Sequence, residues 1–327
     1  MDEVTTIALP PRVGVVVVAY NSRRHLARQA AALEAQTDAR WRLILIDNGS
    51  TRAERPHVSE LPANATLIQS EVNLGFAAAN NRAVLDLDTP YVAFLNPDAF
   101  PEPGWIAALI EATTRYPDVA AFGSTQLWDH DTALLDGAGD EMQLFGLPYR
   151  ALYHKPAAGA PGEGETFSAC AAAALYRTQA FRDLGGFDER LFAYCEDVDL
   201  GYRLRLRGGR TMQLSDAIVR HIGGGRSDFA DFHGARNRLW VFVKNTPPLL
   251  FWLTTPFHFA ATFAILLAHA LRGRWASWRG FGAGIAGLGG TLRARDDAQR
   301  ARTASSGVIA RAMIWSPWRM MARGTKR

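Results

Sequence analysis

Cysteine is scarce: 327 residues hold only Cys170 and Cys195. Two thiols make no disulfide framework, and they lack metal-ligand spacing, so a reducing compartment is expected. The chain begins Met-Asp-Glu without a basic stretch leading into an apolar one, so no signal peptide is expected. No solenoid-type repeat is present. A glycine-rich phosphate loop with a basic residue is also missing after the first apolar run, where Tyr20-Asn21-Ser22 stands instead. That absence counts against a nucleotidyltransferase. Residues 249–271 contain no Asp, Glu, Lys or Arg.

What is present has the makings of an ordinary globular core. Hydrophobic residues make up 48% and charged residues 21% of the chain, enough for one large domain or two small ones. The net charge of +4 hides an asymmetry. Residues 272–327 carry 12 Lys and Arg against two acids, while residues 1–271 hold 24 basic and 30 acidic residues. A basic tail behind an acidic body suits a polyanion, either nucleic acid or an anionic membrane surface.

Val13–Ala19 is an almost pure β-branched run and reads as a buried strand, with Ser22 placed to cap a helix through Gln36. Leu43–Ile46 is a second strand ending in Asp47-Asn48-Gly49-Ser50-Thr51, and Leu67-Ile68 marks a third. Asn73-Leu74-Gly75-Phe76 leads into an alanine-rich helix with Asn80. Tyr91–Leu95 is a fourth strand, stopped by Asn96-Pro97-Asp98. Pro97 ends the ladder and biases Asn96 to an extended conformation. Asp98 is thereby held just past the end of a central strand, where open α/β sheets bind ligands, though it could also cap a helix near Pro103. Val119–Phe122 is a further strand. Residues 125–165 read as an irregular insertion over the binding edge, Thr166–Tyr176 as a strand, Glu196–Arg207 as a helix, and Thr211–Ile222 as a strand ending in His221. Strands alternating with helices predict a doubly wound, mostly parallel sheet.

The motifs VVVVAYNS (15–22), LILIDNGST (43–51), NLGFAAANN (73–81), YVAFLNPDAFPEPGW (91–105), GGFDERLFAYCEDVDLGYRLRLRGG (185–209) and HIGGGRS (221–227) occur in this order. Together they resemble an inverting glycosyltransferase of family 2, and within it the bacterial rhamnosyltransferase-like branch. The resemblance covers roughly residues 12–245. It implies an α/β GT-A fold: a Rossmann-like, mostly parallel sheet with helices on both faces. It further implies a divalent cation, Mg²⁺ or Mn²⁺, that neutralises the departing diphosphate of a nucleotide-sugar donor. By the resemblance, Asp98 is the cation-binding acid of an Asp-x-Asp motif. Asn96 stands where many members carry the first Asp, and it could serve the ribose instead. His221 matches a histidine that completes the cation's coordination in several relatives, although a lone histidine at a strand end is more often structural. Asp47 accepts from a uracil or thymine imide in this reading, or serves as a helix N-cap, and the two roles need not exclude each other. Tyr20, Asn21, Asn73, Gly75 and Asn80 line the nucleotide site, with Gly75 permitting close backbone approach. Asp197, paired with Glu196, deprotonates the acceptor hydroxyl. Asp199 reads as a cap partner.

The implied reaction moves a sugar, dTDP-rhamnose favoured and a UDP-sugar possible, to a hydroxyl of a glycan acceptor. A polyprenyl-diphosphate-linked glycan is the expected acceptor, in cell-surface polysaccharide assembly. A non-catalytic sugar-binding descendant is the alternative, which loss of Asp98 or Asp197 would have signalled. Residues 1–245 form the expected catalytic unit and residues 246–327 a membrane-associating helical region. The 249–271 run is long enough to span a bilayer core, although Pro256, His258 and His269 interrupt it. Ile309–Arg327 suits an in-plane amphipathic helix. An apolar run beside the basic charge favours the cytoplasmic face of a membrane over nucleic acid.

Overall fold

A computed structural model describes residues 10–224 and 227–326. The first strands and helices follow the expected alternation: β1 (Val13–Ala19), α1 (Arg23–Glu34), β2 (Trp41–Asn48), β3 (Ala65–Ser70), α2 (Gly75–Val84), β4 (Tyr91–Leu95), the short β5 (Ala99–Pro101) and α3 (Trp105–Arg115). Strands β1, β2, β3 and β4 are mutually parallel where they pair. Their residues alternate between two cores. Val15, Val17, Leu43 and Leu45 pack beneath α1 and α3, whereas Val16, Ile44 and Phe94 pack beneath α2. Burial on both faces explains why these strands read as continuous apolar runs.

Beyond α3 the sheet changes character. The chain runs on through β6 (Ala121–Trp128), β7 (Asp131–Gly137), β8 (Asp140–Gln143), β9 (Leu147–Arg150), β10 (Gly164–Glu165), β11 (Ala173–Arg177) and β12 (Thr211–His221), with α4 (Thr178–Asp183) and α5 (Glu196–Leu206) between the last two. β11 lies antiparallel between β4 and β6, β12 runs parallel to β6, and the order across the sheet is β10-β12-β6-β11-β4-β1-β2-β3. The sheet is therefore mixed.

Several expectations need correcting. Residues 125–165 hold strands, including the separate β8–β9 hairpin; their four-residue length and turn-rich flanks gave no periodicity to read. The strand expected from Thr166 begins only at Ala173, because the preceding backbone serves other groups: Ala172 O accepts from Asn96 N. Ser22 makes no side-chain cap bond. Asp98 caps nothing near Pro103, since α3 starts at Trp105 behind an uncapped Gly104.

The C-terminal part is helical: α6 (Asp228–Asn245), α7 (Pro248–Ala270), α8 (Ala276–Ala286), α9 (Leu288–Arg300), α10 (Ser306–Ala312) and α11 (Pro317–Met321). The last segment is not the continuous amphipathic helix expected. It breaks at Met313 and docks on the body, burying Ile309, Ala310 and Ile314, with Ile314 N bonded to Met142 O at 2.8 Å.

Candidate active site

The expected corners gather at the carboxyl ends of β1, β2 and β4. Asn21 adopts a left-handed conformation (φ 49°). Its backbone N–H donates to Ser50 Oγ at 3.0 Å and its side chain accepts from Thr51 N, which ties the β1 loop to the β2 loop. Tyr20 beside it is half exposed. Asp47 is buried; Oδ1 accepts from Ser50 N at 3.1 Å, while Oδ2 has no hydrogen-bond partner among the described residues and faces Arg55 Nε at 4.0 Å. A buried carboxylate oxygen without a donor is costly unless a ligand supplies one. Asn73 Oδ1 accepts from Asn48 Nδ2 and Gly75 N, so it shapes the loop. Gly75 does require its missing side chain: φ is +82°, and a Cβ would lie 2.5 Å from the Phe192 ring. The close approach it permits is to Phe192. Asn80 is buried and donates to Phe76 O of its own helix at 2.9 Å.

Asp98 and His221 meet across the sheet. β12 pairs with β5 in a register that sets His221 opposite Ala99, bringing Nε2 within 3.4 Å of Asp98 Oδ1. Asn96 Nδ2 lies 3.4 Å from the same nitrogen. The other ring nitrogen, Nδ1, is 2.7 Å from Asp136 Oδ2, and Arg150 Nη1 reaches that oxygen at 2.5 Å. Burial alone would lift Asp98, but His221 outweighs it and holds the carboxyl below its usual range. Burial likewise opposes charge on His221, yet Asp136 and Asp98 raise it above its ordinary value. A carboxylate and an imidazole, the latter braced by a second carboxylate, form a donor set that suits a divalent cation. The glycine-rich motif after His221 includes Gly225 and Arg226, which lie outside the described residues.

Adjacent to this corner is a cleft of about 350 Å³, lined among others by Asn96, Asp140, Arg150, Tyr194, Glu196 and Asp197. Asn96 thus borders both the cleft and His221. Asp197 Oδ2 accepts from Ala171 N at 3.0 Å and Oδ1 from Val198 N at 2.8 Å. Glu196 is buried, its Oε2 makes no hydrogen bond among the described residues, and burial together with the Asp197 charge pushes it well above the usual carboxylate range.

The loop entering α5 is strained. Phe192, Tyr194 and Cys195 all have positive φ, a conformation costly for residues with side chains. The buried Asn237 of α6 holds that loop, donating to Leu191 O, Ala193 O and Tyr194 O at 2.7–2.8 Å. Asp199 is no cap partner. It sits wholly buried between Lys244 Nζ (2.6 Å) and Arg203 Nε (2.8 Å), and Lys244 also reaches Asp188 at 2.6 Å. This network fastens the Phe187-Asp188 turn to α5 and α6.

Asp136, Asp140, Arg150 and Asn237 escaped the sequence reading. The only local signal was the pair of acids in Asp136-Gly137-Ala138-Gly139-Asp140. Asp140, Cys170 and Asp197 bring ligand atoms within 4.8 Å of one another, a cluster that could hold a metal. Burial pushes the Cys170 thiol up to about 12 and, with Asp197 nearby, Asp140 well above its usual range. A thiol is a soft ligand, poorly matched to an oxygen-seeking cation, whereas Asp98 offers a carboxylate at the strand end beside His221.

Residues 14–185 match the family model described as Glycosyl transferase family 2. The chain belongs to that family. This family 2 glycosyltransferase is 31% identical over 231 residues to an N-acetylglucosaminyl-diphospho-decaprenol L-rhamnosyltransferase of Mycobacterium tuberculosis, covering 63% of this chain and 75% of the relative. It is 30% identical over 221 residues to the O-antigen biosynthesis protein RfbC of Myxococcus xanthus, covering 64% of this chain but 17% of that protein. Among solved structures, a mannosyltransferase of Pyrobaculum calidifontis in complex with GDP-Man and Mn²⁺ superposes with a TM-score of 0.53 at 18% identity, covering 93% of this chain and 87% of the other. GalNAc-T7 with UDP, GalNAc and Mn²⁺ gives 0.57 at 14% identity, covering 72% and 48%. These two likenesses establish the GT-A fold.

Proposed function

We propose that this family 2 glycosyltransferase is an inverting, cation-dependent enzyme that transfers a sugar, dTDP-rhamnose favoured over a UDP-sugar, to a lipid-linked glycan. The observation that supports it best is the position of Asn96. It borders the Asp98–His221 corner on one side and the cleft with Asp197 on the other. Donor diphosphate and acceptor hydroxyl would then meet at the ends of one short path.

In this reading Asp47 accepts from the imide of the base through Oδ2, the oxygen that makes no hydrogen bond among the described residues and lies 4.0 Å from Arg55 Nε. Tyr20, Asn21, Asn73, Gly75 and Asn80 shape or line the nucleotide site. Asp98 and His221 would hold Mg²⁺ or Mn²⁺, which supplies Lewis-acid neutralisation of the leaving diphosphate. Asp197 takes the acceptor proton as the hydroxyl oxygen bonds to the anomeric carbon and the bond to the diphosphate oxygen breaks. One displacement inverts the configuration. Glu196, beside Asp197 in the cleft, orients the acceptor. The rhamnosyl donor and polyprenyl-diphosphate acceptor rest on the mycobacterial relative's name and on the membrane character of the C-terminal region. We assign residues 1–245 to catalysis and 246–327 to attachment at the cytoplasmic face of the membrane.

A panel of nucleotide sugars, screened by thermal shift with Mg²⁺ or Mn²⁺ and then by transfer to polyprenyl-diphosphate N-acetylglucosamine, tests the reading. The expected result is dTDP-rhamnose binding that requires the cation, with an inverted product. Stabilisation by another donor alone would overturn the sugar assignment. Binding without any transfer would favour a non-catalytic sugar-binding protein.

A further inference from the structure

Helix α7 has the length and composition to cross a bilayer. Its packing says otherwise. Every fourth residue along one side, Leu250, Thr254, His258, Thr262 and Leu266, is buried against the protein. His258 stacks on Phe242 with ring centroids 3.9 Å apart, and its Nδ1 lies 2.8 Å from Phe145 O. Leu266 O accepts from the Trp278 indole at 3.0 Å. Burial pushes His258 down to about 4, so the helix carries no charge there. To cross a membrane, α7 would have to strip these contacts along its whole length and bare the apolar faces of α6 and α8.

The opposite side is a different surface. Leu249, Trp252, Leu253, Phe257, Phe263 and Leu267 are exposed, Trp252 at 74%. The run ends at Leu271, itself 80% exposed, so the stripe is about 33 Å long at 1.5 Å per residue. Soluble monomers rarely show so continuous an apolar face. It has no charged residue of its own, and exposed Arg272, Arg279 and Arg293 follow it with Trp275 and Trp278, the pairing of cation and tryptophan found at membrane interfaces. A second copy would bring another strongly basic C-terminal region to the same place. An anionic bilayer matches the charge.

We propose that α7 lies flat on an anionic membrane, its exposed stripe immersed at the interface and its axis parallel to the surface. This rests on the membrane attachment proposed above and sharpens it. The arrangement also reaches the active site. Phe145, at the tip of the β8–β9 hairpin, stacks on Phe257 with centroids 5.1 Å apart, and the base of the same hairpin carries Asp140 and Arg150 into the cleft. Strands of four residues span roughly 13 Å. The cleft therefore lies one short hairpin from the membrane-facing helix, within reach of an acceptor anchored by its lipid.

The test places nitroxide labels at Leu253→Cys and Leu267→Cys in the full chain bound to phosphatidylcholine–phosphatidylglycerol vesicles, and reads immersion depth by power saturation. The flat helix predicts two equal, shallow depths. A spanning helix would separate them by roughly 20 Å, and labels left in water or buried against a second copy would equally overturn the proposal. In parallel, Trp252→Glu/Phe263→Glu should lower vesicle binding at least about tenfold while transfer to a water-soluble acceptor is retained. Unchanged vesicle binding in that variant refutes the face. Because the soluble-acceptor assay reports catalysis separately, failure of the membrane inference is distinguishable from failure of the enzyme assignment.

Discussion

The wall of the cleft that carries Asn96 grows from the end of a buried parallel strand, whereas the facing wall, with Asp140 and Arg150, comes from a two-stranded hairpin outside the main sheet. The first is held by strand order and core packing on both faces. The second is held by its neighbours: Arg150 by Asp136, and the hairpin tip by α7. Groups on the first wall have fixed positions that any nucleotide-diphosphate donor can use. Those on the second depend on hairpin and helix contacts, which is where a preference for one sugar or acceptor would be set.

The largest expected effect breaks the first wall. Asp98→Ala should abolish transfer and cation-dependent donor binding while leaving the fold intact, because the side chain is at a strand end and not in the core. Calorimetry with and without Mn²⁺, beside a melting curve, checks it; undiminished cation-dependent binding would remove Asp98 from the site.

Next in size is the support of α5, the helix that carries Asp197. Lys244→Met leaves Asp188 and Asp199 without their shared cation, and breaking a buried pair this way costs about 3–5 kcal/mol. Urea unfolding measures it. A loss below about 1 kcal/mol would show the network to be well hydrated and incidental.

The hairpin wall can be loosened by acid. Burial holds His258 at about 4, below its ordinary 6.5, so the unfolded chain takes up the proton first. Stability is full above pH 6.5 and falls as the pH drops to about 4, by roughly 3 kcal/mol at the lower end. His258→Phe should flatten that part of the pH–stability curve. An unaltered slope would mean that other groups cause it.

Smaller again is Asn237→Ala. It strands three loop carbonyls at a cost of about 1–3 kcal/mol, and because the loop leads into Asp197 at the start of α5 it should lower turnover more than donor affinity. Equal losses in both would mean that the loop also shapes the donor site.

These variants divide along the line that separated what the sequence disclosed from what it hid. Asp47, Asp98 and His221 were legible because buried strands announce themselves as apolar runs, and the polar residues that stop them are then conspicuous. Glu196 and Asp197 were legible as acids opening a helix. Asp140 and Arg150 were not, since a hairpin of four-residue strands has turn-like composition. Asn237 looks like any polar residue within a helix, and its three backbone acceptors come from a loop more than 40 residues away in the chain. The docking of the last segment was hidden for a related reason: Ile309 and Ile314 suit a bilayer as well as a core. That docking also alters how attachment must be tested. Deleting residues 247–327 would remove part of the buried core with the exposed stripe of α7, so substitutions on that stripe are the cleaner probe.

The central claim is that one wall binds the donor while Asp197 acts on the acceptor, and the most direct measurement is donor affinity and turnover of Asp197→Asn side by side with Glu196→Gln. The account predicts unchanged donor affinity for Asp197→Asn with turnover lowered by about 10²–10⁴, and a smaller loss for Glu196→Gln. Turnover of Asp197→Asn within about tenfold of the parent, with Glu196→Gln inactive, would contradict it and give the proton to the other carboxylate.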